Sequence, residues 1–243
     1  MIAQIGSKAP NLIVSAWFGG KPTNIEHEKG NVILVEVFQV NCPGCFMYGI
    51  PDAIRIHQRY GKKGVKVIGL ATAFEDYDKN TTDNLKLLIE KQQVIGDTYE
   101  ALRNSGLLIN GDKLPYRIPF PVAVDSISIK KEDHNASKNK AISFVESSTS
   151  NLSSVDDKYK SMLIERMQKY FDSRTYYAET FEQYGLQGTP SSILIDKHGT
   201  LRQVTFAQYG SHEQIVKKLL SEAQGQVQVQ ESELEMPEYA KED

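Results

Sequence analysis

The sequence has only two cysteines, Cys42 and Cys45, and no second pair to join them. A structural zinc site needs about four ligands, and the five histidines, His27, His57, His134, His198 and His212, form no H-x-x-x-H pair that could supply them. His57 lies too far along the helix opened by Cys45, at ~1.5 Å rise per residue, to share a metal with it. No metal and no cofactor are therefore expected. Also missing is any apolar run approaching the ~20 residues that span a bilayer, and any strong excess of one charge, the formal net charge being −3. Nucleic acid and membranes are disfavoured as partners. Met1 is followed almost at once by Gly6-Ser7-Lys8-Ala9-Pro10, which reads as domain sequence and not as a signal peptide. The chain as it stands is expected in the cytoplasm; one trimmed of a leader would be exported.

What is present suffices for a full core: 243 residues, 40% hydrophobic and 24% charged. The chain is organised around residues 32–51. Val32-Ile33-Leu34-Val35, with Val37 and Phe38, reads as a buried central strand that runs into Cys42-Pro43-Gly44-Cys45 and then an apolar helix. A C-x-x-C at such a turn places both sulfurs in the first helical turn, where unpaired N–H groups and the positive end of the helix dipole stabilise a thiolate. Pro43 suits the first helical position and Gly44 leaves the sulfurs approachable. Redox chemistry is the reading of the pair, with Cys42 the exposed nucleophile and Cys45 its buried partner.

Before this stretch, residues 6–30 carry Gly and Pro around short apolar pieces, the pattern of a hairpin or edge strands. After it, the helix is expected to kink at Pro51 and to end at Gly61 and Gly64. Val65-Lys66-Val67-Ile68-Gly69-Leu70 is a second buried strand, parallel to the first through a right-handed crossover. A helix is expected over residues 82–92, capped by Thr81 or Thr82, then an added loop or hairpin over 94–119 and a short strand at 121–125. Residues 126–156 are rich in Ser, Asn, Lys and Asp and read as a poorly packed, solvated insertion. Residues 157–184 return to helical spacing, with an aromatic stripe read as packing surface. Gly188-Thr189-Pro190 leads into a strand, a turn at Lys197-His198-Gly199 and a second strand. Ser211 caps a last helix carrying Ile215, Val216, Leu219 and Leu220 inward, and an acidic tail read as disordered occupies 224–243.

With strand–C-x-x-C–helix–strand first and Gly-Thr-Pro–strand–turn–strand–helix last, the chain resembles the thioredoxin-fold proteins. Within them it is most similar to the TlpA-like and alkyl-hydroperoxide-reductase-like redoxins, a family of disulfide reductases. The resemblance rests on Ile5-Gly6-Ser7-Lys8-Ala9-Pro10, on Asn41-Cys42-Pro43-Gly44-Cys45, and on Gly188-Thr189-Pro190 with Ile193-Leu194-Ile195-Asp196-Lys197-His198-Gly199. It covers residues 5–125 and 175–222. It implies an α/β three-layer sandwich, a central mixed sheet with helices on both faces. The domain spans residues 1–223 with a largely helical insertion at about 126–174. It also implies thiol–disulfide exchange, a cis bond before Pro190, and a protein substrate docking beside it, so that Pro43, Gly44, Thr189 and Pro190 become substrate-binding candidates. A protein disulfide or dithiol and a thiol electron donor or acceptor are the implied partners. The active site departs from the family in reading Pro-Gly where thioredoxin has Gly-Pro. Pro51 also comes one residue late, so that Tyr48 and Gly49 fill the places where many TlpA-like proteins carry an acid.

Two alternatives stand beside the oxidoreductase. A thiol peroxidase of the peroxiredoxin kind would need Pro and Thr or Ser where Val35 and Gln39 stand, and a non-catalytic thioredoxin-fold binding module would keep the same C-x-x-C. Glu36 is the odd residue of the central strand, an acid where burial on both faces is costly without a partner or a task. Thioredoxin carries a buried Asp six residues before its first active-site cysteine, and Glu36 stands six before Cys42. Glu36 is thus expected to lie buried near Cys45 with a raised pKa and to exchange a proton with the Cys45 sulfur. Its other reading is a structural acid bonded to a backbone group or a Lys.

Overall fold

The structure, a computed structural model, describes residues 2–129, 134–148, 156–207, 210 and 212–222. Its strands are β1 (Val14–Phe18), β2 (Val32–Phe38), β3 (Val65–Ala71), β4 (Val122–Asp125), β5 (Ile127–Ile129), β6 (Tyr176–Ala178), β7 (Ser191–Ile195) and β8 (Leu201–Phe206). Six of them form one mixed sheet in the order β1-β4-β3-β2-β7-β8, while β5 and β6 pair separately. Strand β2 is parallel to β3 from Val32↔Val65 to Phe38↔Ala71 and antiparallel to β7. All seven of its residues are buried. The β-branched run of the sequence is satisfied by neighbours on both edges and both faces.

The pleat sorts those residues. Ile33, Val35 and Val37 pack on one face with Phe181, Tyr184 and Leu186. Val32 and Leu34 pack on the other with Ala53, Ile56, Val216 and Leu219. The second set comes from helices α1 (Ile50–Tyr60) and α7 (His212–Ser221), where Ile215 and Leu220 add partly buried contacts. Each fully buried aliphatic side chain contributes ~1.5–3 kcal/mol of transfer free energy. Glu36 shares the parity of Val32 and Leu34 and so points toward the α1 face.

Several sequence expectations need correction. The helix after the cysteines is not uniform: a π-helical turn, Cys45–Gly49, runs directly into α1 just before Pro51, and the Tyr116 hydroxyl donates to the Phe46 carbonyl inside that turn at 2.9 Å. Helix α2 (Thr82–Lys91) is capped by Thr81, whose Oγ1 accepts from the Asn84 N–H at 3.2 Å. Residues 94–119, read as loop or hairpin, include helix α3 (Gly96–Asn104), anchored by Thr98 Oγ1 donating to the Val40 carbonyl at 2.8 Å. The N-terminal segment contributes a single edge strand, β1, antiparallel to β4.

The largest correction concerns residues 126–156. Strand β5 lies there, and so does helix α4 (His134–Ser148), which buries Ser137, Ala141 and Val145 at four-residue spacing. Such small side chains leave no apolar periodicity to read, yet they let α4 approach Phe171 on α5 (Asp157–Ser173) and Tyr177 on β6. Residues 157–184 are not helical throughout: α5 gives way to β6 and then to the short α6 (Glu179–Gln183). Nor is the aromatic stripe one packing surface, since Phe171, Tyr177, Phe181 and Tyr184 are buried while Tyr159, Met162, Tyr170 and Tyr176 are exposed. The expected Ser211 cap and the tail at 224–243 lie outside the described residues. Among the described residues no helix is long and apolar enough to cross a membrane.

Asp125, at the end of β4, ties this region to the sheet. Its buried carboxylate accepts from Thr72 Oγ1 at 2.8 Å and from the Thr180 and Phe181 N–H groups at 2.8 and 3.1 Å, the last two at the start of α6. Burial outweighs these bonds and pushes its pKa up to about 6. Asp125→Ala leaves three donors without an acceptor, and at ~1–3 kcal/mol for each buried group left unsatisfied the chain should lose ~3 kcal/mol or more. Urea unfolding of the two chains measures this, and a loss below ~1 kcal/mol would show that Asp125 does not carry the joint.

Candidate functional site

The two cysteines meet where β2 ends and the π-helical turn begins, and they are joined as a disulfide. Cys45 is fully buried among Phe38, Phe46 and Ile50, whereas Cys42 is partly exposed. The Cys45 N–H donates to the Cys42 sulfur at 3.3 Å, one of the free donors at a helix start that favour negative charge on that atom. Pro43 and Gly44 form the partly exposed bridge between them.

Facing this bridge is the loop 188–190. The Thr189–Pro190 peptide is cis, and the Thr189 carbonyl lies 3.6 Å from the Cys42 sulfur. Gln39, passed over in the sequence except as the residue that spoils a peroxidase motif, holds this loop in place. Its Oε1 accepts from Thr189 Oγ1 at 3.2 Å and its Nε2 donates to the Glu75 carbonyl at 3.2 Å, so one buried amide links the end of β2, the 188–190 loop and the 74–80 turn.

Glu36 lies beneath the redox turn, only 2% exposed. Ser192, opposite it in the β2–β7 register, donates its hydroxyl to Oε2 at 2.6 Å, and Oε1 has no hydrogen-bond partner among the described residues. Room for that oxygen comes from Gly49. A Cβ there would collide with Glu36 Oε1 and stand 2.8 Å from the Pro190 Cβ, so the glycine lets the last residue of the π-turn, the acid and the cis-proline loop converge. A residue that looked like a gap in the family pattern is therefore the contact point of the site.

Burial pushes the Glu36 pKa up to about 8, the Ser192 hydrogen bond opposes it, and the negative charge of Asp52 adds to the rise. Asp52 stays ionised. Its own burial works the other way, but His212 Nδ1 at 2.8 Å and the Arg55 guanidinium hold it below the ordinary carboxylate range. His212 is itself buried and reaches Thr205 Oγ1 through Nε2 at 3.2 Å. Asp52, Arg55 and Thr205 were not singled out in the sequence, and His212 only as a histidine without a ligand-spaced partner, because a single Asp or His on an amphipathic helix carries no pattern of its own.

The sequence matches no family model and no curated protein. Solved structures do match it. A thioredoxin-like superfamily protein aligns at 26% identity with a TM-score of 0.54, over 89% of this chain and 98% of that one. A thiol-disulfide isomerase from Corynebacterium glutamicum aligns at 27% identity with a TM-score of 0.53, over 90% and 98%. The chain is a thioredoxin-fold protein. With its Cys42–Cys45 disulfide it belongs in the broad class of thiol–disulfide oxidoreductases.

The raised pKa of Glu36 has a definite sign for stability. Between the ordinary value of 4.5 and about 8 the folded thioredoxin-fold chain keeps a proton that the unfolded chain has lost. Stability therefore falls as pH rises through that window, at no more than ~1.4 kcal/mol per pH unit from this group. Glu36→Gln should match the oxidised parent near pH 4.5 and gain on it steadily toward pH 8. Denaturant unfolding of both across the range tests this, and parallel curves would contradict it.

Proposed function

We propose that the chain exchanges a dithiol and a disulfide with a protein substrate, Cys42 attacking and Cys45 resolving. What supports this reading is the contrast between the two sulfurs: Cys42 is reachable beside the Thr189 carbonyl, and Cys45 is shut inside the core. In the reducing direction the Cys42 thiolate attacks one sulfur of the substrate disulfide, forming a mixed disulfide and expelling the other as a thiolate. Cys45 then gives up its proton and attacks the Cys42 sulfur. The Cys42–Cys45 bond forms, the mixed disulfide breaks, and the substrate leaves with two electrons and as a dithiol. Reversing the steps oxidises a substrate dithiol, and a second thiol partner resets the pair.

Glu36 is the proposed proton shuttle for Cys45, directly or through a water. Its ionised fraction takes the Cys45 proton in the reducing direction, and its protonated form returns one to the Cys45 sulfur in the oxidising direction. A carboxyl held near pH 8 by burial is matched to a thiol, whose ordinary pKa is ~8.5. Pro43, Gly44, Thr189 and Pro190 form the proposed docking edge for the substrate, whose extended backbone would lie along residues 188–190. The Corynebacterium neighbour, a thiol-disulfide isomerase, agrees with a protein as the substrate class. The domain is proposed to run from residue 1 to about 223, with α4 and α5 as an insertion.

Insulin reduction driven by dithiothreitol tests the reading. The parent chain should accelerate it and Cys42→Ser should fall to the blank, while Cys45→Ser should accumulate a mixed disulfide with insulin through Cys42. Glu36→Gln should form that adduct normally and resolve it more slowly, by about a hundredfold or more if Glu36 moves the Cys45 proton. In the reduced parent, iodoacetamide at neutral pH should label Cys42 before Cys45. Full insulin activity in Cys42→Ser, or peroxide consumption without insulin reduction, would overturn the proposal.

A further inference from the structure

A cavity of about 540 Å³ lies where α4 and α5 cover the sheet. That volume falls within the range of small-ligand sites. Phe74 and Phe181 stack at its wall with ring centroids 4.5 Å apart, Phe144 and Phe171 meet edge to face, and Met167 adds an adaptable thioether. The charged groups at the wall nearly balance, Lys140, Arg166 and Arg174 against Glu75 and Glu182. Arg174 is already held by Glu182, and Lys140 lies 4.0 Å over the Tyr177 ring. Burial pushes the Glu75 carboxyl up, and Asp76 adds to the rise. Such walls favour an apolar occupant over an ionic one.

One edge of the cavity belongs to the redox end. Gln187, exposed and directly ahead of the 188–190 loop, lines it. So does Phe206, at the end of β8, whose ring packs so closely on Gly188 that a Cβ at that residue would stand 2.5 Å away. The Ala207 N–H donates to the Pro190 carbonyl at 3.0 Å and fixes the end of β8 to the loop. Phe206 is nevertheless 45% exposed. An aromatic ring mounted rigidly in solvent, between a docking loop and an apolar cavity, has the character of a recognition surface.

We propose that this cavity receives apolar side chains of the polypeptide substrate, with Phe206 as the ring they cross to reach it. The inference rests on the dithiol–disulfide reading above and adds a substrate class to it: an extended chain with apolar residues on one side of its reactive cysteine. The Thr189 carbonyl, 3.6 Å from the Cys42 sulfur, marks where that cysteine stands. A strand docked along 188–190 advances ~3.3 Å per residue, so residues about three to five positions from the cysteine come over Phe206 and the cavity. The loop leads to the cavity in one direction only, from Thr189 back to Gln187, which makes the requirement one-sided. Helices α4 and α5 thereby acquire a part in choosing substrates.

Three glycine–serine peptides with a single cysteine, activated as its thionitrobenzoate mixed disulfide, test this. One carries Leu-Phe about four residues before the cysteine, one carries it about four residues after, and one lacks it. Each is reacted with the full reduced chain, and release of thionitrobenzoate is timed. One of the two Leu-Phe peptides should react about tenfold faster than the plain peptide, the order expected for burying one such side chain, and the other should not. In Met167→Trp, which fills the cavity, and in Phe206→Ala, that ratio should fall to near one. Because each ratio is taken within one variant, a general change in reactivity cancels; should Met167→Trp fail to fold, the half-exposed Phe206 still supplies the comparison. Equal rates for all three peptides, equal acceleration from both sides, or a ratio that survives in either variant would overturn the proposal and leave the exchange reading in place. No reaction with any peptide would overturn both. A concentration-dependent dimer that is lost in Phe206→Ala would place a second copy of the chain on this surface and overturn the proposal as well.

Discussion

A carboxyl group held inside a strand with no solvent on either face is the constraint around which the redox end of this chain is arranged. Ionising Glu36 would bury a charge, and its surroundings do little to lower that cost: one hydroxyl from Ser192, no partner for Oε1 among the described residues, and the negative charge of Asp52. The acid is therefore kept protonated up to about pH 8. Gly49 has no side chain to take its space, and Pro190 closes the third side. Removing the acid's room or its strand partner disturbs the cysteine turn and the cis-proline loop together.

Around that group the polar contacts divide into two sets. Asp52, His212, Thr205 and Arg55 fix helix α1 to α7 and keep one negative charge beneath the redox turn. Gln39 fixes the opposite side, joining Thr189 to the 74–80 turn. Phe74 and Glu75 of that turn also line the cavity under α5. A chain of direct contacts thus runs from the Cys42 neighbour Thr189 through Gln39 and Glu75 to the aromatic cavity.

The central strand, the C-x-x-C turn and the Gly-Thr-Pro hairpin were legible in the sequence because each carries a strong local signal: β-branched residues, the only cysteines, and turn residues before alternating apolar ones. Glu36 was legible for the opposite reason, as an acid that breaks its strand's pattern. Gly49 was not, since its importance lies in the absence of a side chain at a point where three segments meet. Gln39 and Asp125 are polar residues whose partners are remote in sequence, at Thr189 and at Thr180 and Phe181. Helix α4 was hidden because it packs through Ser137 and Ala141, residues too small and too polar to write an apolar stripe. Helix α3 was hidden by glycine at its first position and by an N-cap, Ile95, that makes no side-chain cap bond.

Everything assigned to Glu36 depends on its pKa standing near that of a thiol, so that the carboxyl can both give and take a proton. Carbon-13 labelling of glutamate carboxyls, with the Glu36 resonance assigned by its loss in Glu36→Gln, allows that proton to be followed directly by NMR titration of the oxidised chain. The account predicts a midpoint near the value of about 8 set by burial and Asp52. A midpoint in the ordinary carboxylate range, at ~4.3, would contradict it.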